Sequence, residues 1–210
     1  DTEKLKYSQA GLRLTGTFGM VDLGASYYYG HYKQVTMNAL DYKAFIPQYM
    51  AGGNPEKFLH FDKKQTFGLE ASTILWHFNL RGELAYNLTD DTAGDDPWVH
   101  NNSVQWLAGF DIDLPINNVN LNVQEVGTYI LNNDQIGGIF ETYDADYDVN
   151  GEYTNNRLVI NITDSWLNGK IKPEATIVCG IERGDLIVMP KIDFCPNQDI
   201  TFTLRGLLMH

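Results

Sequence analysis

Long apolar runs are missing from this 210-residue chain. No stretch approaches the 18 consecutive apolar residues of a membrane-spanning helix, which excludes a helical membrane protein. Basic residues are scarce, with 15 Lys and Arg against 27 Asp and Glu, for a formal charge of −12 and a pI near 4.6. Binding duplex nucleic acid needs a clustered basic face that releases counterions, so no nucleic-acid partner is expected. Two cysteines, Cys179 and Cys195, allow at most one disulfide, and no Cys/His cluster has zinc spacing. No phosphate-cradling glycine loop, dinucleotide fingerprint or P-loop occurs. The N-terminal residues Asp1-Thr2-Glu3-Lys4 lack the charged and apolar regions of a signal peptide, which points to a leader already removed or to a start inside a longer protein.

What the chain does have is 12 Tyr, 10 Phe, 4 Trp and 19 Gly, arranged with a period of two. A mean hydropathy of −0.28 is compatible with a transmembrane β-barrel, whose strands turn only every second residue to lipid. The helical i, i+3, i+4 pattern is hard to find in any window, so the fold class is all-β. The first run, 9–18, sets Leu12, Leu14 and Phe18 against Arg13, Thr15 and Thr17; the second is 20–34. Runs 65–75 and 78–88 flank Trp76-His77, and runs 103–114 and 118–131 flank Pro115-Ile116-Asn117. Runs 156–164, 170–182, 185–195 and 199–209 complete ten strands of about the length a tilted membrane-crossing strand needs. Glu125 falls on an apolar side with Leu121, Val123 and Tyr129, which predicts a bulge or a position near the membrane boundary.

Connections sort by length in alternation, as in outer-membrane barrels with short periplasmic turns and long external loops. Long polar segments at 36–64, 89–102 and 132–155 alternate with short turns, and Glu182-Arg183-Gly184-Asp185 is short where a long loop is due. A hairpin turning there pairs 179 with 188 and sets Cys195 opposite about residue 172. That separates the two cysteines by roughly 20 Å, too far for a disulfide. Aromatics divide into two groups near the strand ends, Phe18, Trp76, Phe78, Trp166 and Phe194 at the short turns, and Tyr29, Tyr86, Trp106 and Tyr129 at the long loops. Such girdles suit the two headgroup levels of a bilayer.

The segments Asn168-Gly169-Lys170-Ile171-Lys172-Pro173-Glu174, Leu186-Ile187-Val188-Met189-Pro190-Lys191-Ile192 and Asp199-Ile200-Thr201-Phe202-Thr203-Leu204 resemble the C-terminal third of large bacterial outer-membrane porin-like proteins. The segment Val119 to Ile130 is similar to an upstream strand of that class. The resemblance covers about residues 65–209 and implies passive or facilitated transport. It names no substrate. If the short turns are periplasmic, Asp1 and His210 both lie outside, whereas such barrels have even strand counts and periplasmic ends. The chain is therefore expected to be one region, 1–210, of a larger barrel of at least ~12 strands, lacking strands at both ends.

On this reading the polar face lines an aqueous lumen, with Arg13, Arg81, Glu83, Asp111, Arg157, Lys172, Glu174, Lys191, Asp193 and Arg205 projecting into it. Charged groups in a pore set selectivity, and one cation on each of the last four strands could guide anionic solutes. Within loop 132–155, Asp146, Asp148 and Asn150 reproduce the first half of a calcium loop, with Gly151 at the turn, but Arg157 stands where the bidentate Glu belongs. Calcium is the single cofactor the sequence suggests, at weak affinity. Catalysis is not expected. Ser103, His100 and Asp96 form a local cluster, but a triad is assembled by the fold and adjacency is poor evidence for one. The expected function is an outer-membrane channel for small solutes, with lipid and lipopolysaccharide as partners. The alternative is a soluble or surface-attached all-β module that binds a carbohydrate or other ligand.

Overall fold

Each of the ten predicted runs forms a strand, and each strand pairs with its neighbours in sequence. In the computed structural model, residues 8–36, 39–53, 59–137, 142 and 144–210 are described; Asp1 to Lys4 and parts of the two longest loops lie outside the described residues. The strands are β1 (Ala10–Phe18), β2 (Val21–His31), β3 (Lys63–Leu75), β4 (Phe78–Thr89), β5 (Ser103–Asp113), β6 (Asn120–Ile130), β7 (Thr154–Thr163), β8 (Ile171–Gly180), β9 (Leu186–Phe194), β10 (Phe202–Arg205) and β11 (Leu208–Met209). They make one antiparallel meander in the order β1 to β10, with β11 also on β9. The pairings Arg205↔Lys191 and Leu208↔Val188 share one register. The last strand is thus a single edge interrupted opposite Pro190, which accepts from the Gly206 amide at 2.8 Å and has no N–H to return.

Three sequence expectations are corrected. The 36–64 segment is not all loop: it holds helix α1 (Ala39–Met50), with Pro47 inside it. Its apolar residues make no continuous stripe, so periodicity carries no signal. No bulge occurs at Glu125, because β5–β6 and β6–β7 keep one register throughout. The β8–β9 hairpin pairs Cys179 with Leu186, two positions from the expected partner. Gly184, at φ +66, donates to the Gly180 carbonyl at 3.0 Å, which closes the turn one residue early.

Register carries the side-chain alternation across the whole sheet. Cross-strand partners share a face, so Leu14, Ala25, Leu69, Leu84 and Trp106 lie in one row, and Val123, Ile160, Ile177 and Val188 in another. These rows form one apolar face. It remains open, with Leu14 66% and Leu69 62% exposed, and Ile136 is the one buried large apolar side chain among the described residues. The accessible surface is 14271 Å², whereas a compact monomer of this mass exposes about 9,900 Å². The sheet is not closed into a barrel: among the described residues β1 pairs with β2 alone, and β10 with β9 alone.

Candidate functional site

The polar face gathers the charged residues the sequence singled out. Arg13, Arg81, Glu83, Asp111, Arg157, Lys172, Glu174, Lys191, Asp193 and Arg205 share it because each occupies the alternate phase from the apolar rows. Ion pairs across the sheet compensate much of this charge. Arg13 on β1 reaches Glu70 on β3, its Nε donating at 2.8 Å. Arg81 stands 3.7 Å from Asp111, whose carboxylate also accepts from Asn79 at 2.6 Å. Lys191 bridges Glu174 at 3.0 Å and Asp193 at 3.1 Å, and Thr203 donates to Asp193 at 2.6 Å. Of the cations on the last four strands, Lys191 is therefore neutralised by the acids beside it. Arg157, Lys172 and Glu83 make no ion pair among the described residues.

One acid stands on the apolar face, and the structure explains how it is tolerated. Trp106 Nε1 donates to the Glu125 carboxylate at 2.8 and 3.1 Å. The indole reaches it by lying over Gly127, where a Cβ would collide with the ring. Both cysteines are free. Cys195 lies beside Lys170, to whose carbonyl its amide donates at 2.7 Å, far along the hairpin from Cys179.

All the long connections leave from one end of the sheet, and there the molecule buries polar groups. Asp62, just before β3, is 5% exposed. Its carboxylate accepts from His100 Nδ1 at 2.6 Å, from the His100 amide at 3.1 Å and from the Thr36 hydroxyl at 2.8 Å. Burial alone would raise the Asp62 pKa, but these hydrogen bonds to the charged form outweigh it and hold the carboxyl below its ordinary range. Tyr32 stacks on the His100 ring with centroids 4.2 Å apart. Burial and the nearby Asp146 charge push the Tyr32 phenol up to about 12. The third loop joins through Asp146, which accepts from the Asn101 amide at 2.6 Å, and Asn132, which donates to the Ala93 carbonyl at 2.9 Å. Asp144 and Asp146 are both raised, first by burial and then by the acids around them. Three loops are thus tied into one cap.

Sequence spacing could not pair Asp62 with His100, which are 38 residues apart. The sequence-adjacent Asp96, His100 and Ser103, which adjacency alone did not make a triad, turn to separate partners. Asp96 accepts from the Trp98 amide at 3.0 Å, Ser103 accepts from Asn87 at 3.1 Å, and His100 Nε2 faces Gln34 Oε1 at 3.3 Å. The calcium residues are also placed apart in role. Asp146 serves Asn101, while Asp148 holds Arg183 and caps the Asn150 amide at 2.9 Å. Arg183 thus pairs with one of the carboxylates the calcium expectation relies on. Among the described residues no three His, Cys, Asp or Glu side chains converge as a metal site.

Compared with protein families, with curated proteins and with solved structures, the chain finds no match.

Proposed function

We propose that this chain is a section of the wall of a bacterial outer-membrane β-barrel whose aqueous lumen passes small solutes. The observation that carries the reading is the predominantly apolar face, which runs through ten strands opposite a face rich in charge. A soluble sandwich would cover that face with a second sheet, whereas a bilayer covers it with acyl chains. Connection lengths agree, since the long segments 32–62, 90–102 and 131–153 share one end of the sheet and the turns at 19–20 and 76–77 the other. Lipid meets the apolar face, and lipopolysaccharide meets the loop end.

The free edges of β1 and β10 must be paired in the membrane, with each other or with further strands, because hydrocarbon offers no partner to a row of backbone N–H and C=O groups. The part the chain plays is passive, with the polar face setting selectivity by charge and no catalytic step. Membrane extraction tests this directly. The protein should require detergent and migrate faster on an unheated gel than after boiling. A monodisperse, detergent-free monomer would overturn the channel and leave the soluble binding module.

A further inference from the structure

Two hollows on the polar face meet at the facing carboxylates of β3 and β4. One, of about 450 Å³, is lined by Arg13, Asp22, Glu70, Ser72, Arg81 and Glu83. The other, of about 350 Å³, shares Glu70 and Glu83 and continues over Gly68, Ala85, Leu107 and Val126. The first is charged with both signs, and the second has an apolar floor. Register sets Glu70 directly opposite Glu83, and like charges so placed repel. Arg13 relieves Glu70 alone. Glu83 is exposed and has no ion pair or hydrogen bond among the described residues. Two residues along the same face of β4, Arg81 makes a single long contact of 3.7 Å to an Asp111 that Asn79 already serves. Most of the five guanidinium donors are left for another partner.

We propose that the joined hollows bind a small zwitterion of the aliphatic amino-acid class, its ammonium on Glu83, its carboxylate on Arg81 and its hydrocarbon over Leu107 and Val126. Each of the three contacts answers an observed feature: an uncompensated carboxylate, an under-used guanidinium and the apolar side chains of Leu107 and Val126 in the hollow beside them. Recognition of both charges at one end of the solute by charge-assisted hydrogen bonds, with a nonpolar floor under its hydrocarbon, selects against simple anions and simple cations alike. As a station along a solute path the site rests on the channel reading. As a binding site it needs only the registry of the strands around β3 and β4.

Equilibrium dialysis of the full chain in detergent micelles, with radiolabelled L-leucine, 3-methylbutylammonium and 4-methylpentanoate, tests it. The two analogues lack the carboxylate and the ammonium respectively. Leucine should bind at least about tenfold more tightly than either, the difference one charge-assisted contact makes. Glu83→Gln should bring leucine down to the level of 4-methylpentanoate, Arg81→Gln should bring it down to the level of the amine, and Glu83→Asp should recover part of the loss. Circular dichroism shows which variants keep the sheet, and only those are compared. Equal binding of all three probes by the folded protein, or none, overturns the site. Detergent dependence of the same protein separates the two ideas. A detergent-dependent protein that binds no leucine removes this proposal alone, and leucine binding by a monodisperse, detergent-free monomer removes the channel while the site stands.

Discussion

The Glu70 carboxylate lies over Gly24, so close that a Cβ at that position would collide with it. The glycine belongs to β2, directly opposite Glu70 on β3, and the carboxylate passes across it to Arg13 on β1. A bridge that skips a strand needs a gap in the strand it skips. Glycine supplies one by having no side chain.

Gly24→Ala should therefore destabilise the sheet by about 1–3 kcal/mol, the range for forcing extra atoms into an occupied place. In a Glu70→Ala background the same change should cost much less, because the obstacle is gone. Urea unfolding of the four proteins in detergent gives the coupling. Additive effects would show that Gly24 does not make room for the bridge.

Trp76 is the first residue of the two-residue turn between Leu75 and Phe78 and has φ 57. The equivalent position in the β1–β2 turn is Gly19, at φ 65. A left-handed backbone costs a residue with a Cβ about 1–2 kcal/mol. Trp76→Gly should raise stability in micelles by about 1 kcal/mol, read from the urea midpoint. In liposomes part of that gain should disappear if, as proposed, the chain lies in a bilayer and the exposed indole, 85% accessible, sits at the headgroups.

The cap should respond to acid through Asp62. Its folded pKa lies below the ordinary carboxylate value, so its stabilisation is present above the unfolded pKa and is lost as pH falls through the folded one. Asp144 and Asp146 have raised pKa values and act in the opposite sense: their burial disfavours the charged form, and protonation relieves that cost as pH falls. The loss on acidification therefore follows Asp62. Hydrogen-exchange protection of the His100 amide, which donates to Asp62, should fall below about pH 4, and Asp62→Asn should show weak protection at every pH.

Ile177 stands on the apolar face and Lys172 on the polar one, with register partners Ile160 and Val188 for the first and Asp193 for the second. At mid-membrane depth Ile177→Arg should cost about 2–4 kcal/mol, against little for Lys172→Gln. On the proposed channel reading, Lys172→Gln should instead shift the reversal potential toward cations. Small, equal stability changes at both positions would count against a lipid-covered face.

Millimolar calcium should leave protease cleavage within 131–153 unchanged, because Arg183 occupies the Asp148 carboxylate. In an Arg183→Gln variant that carboxylate is freed. Calcium protection of the unmodified loop would contradict the ion pair.

Much of this molecule is legible in the order of its residues. Period-two alternation alone assigns Leu14 and Ile177 to one face and Arg13 and Lys172 to the other, because a strand turns every second side chain the same way. Connection lengths place the loops at one end by the same local logic. What the sequence could not decide is set by contacts between distant segments. The Asp62–His100 pair joins loops 38 residues apart, and the Trp106–Glu125 bond removes the need for a bulge. Helix α1, with no apolar stripe, left no periodic trace, and the β8–β9 register followed the φ of Gly184. Alternation determines which face a residue occupies, since that depends on its own strand. Which residue it meets there depends on turn geometry and on the neighbouring chain, and only the folded sheet decides that.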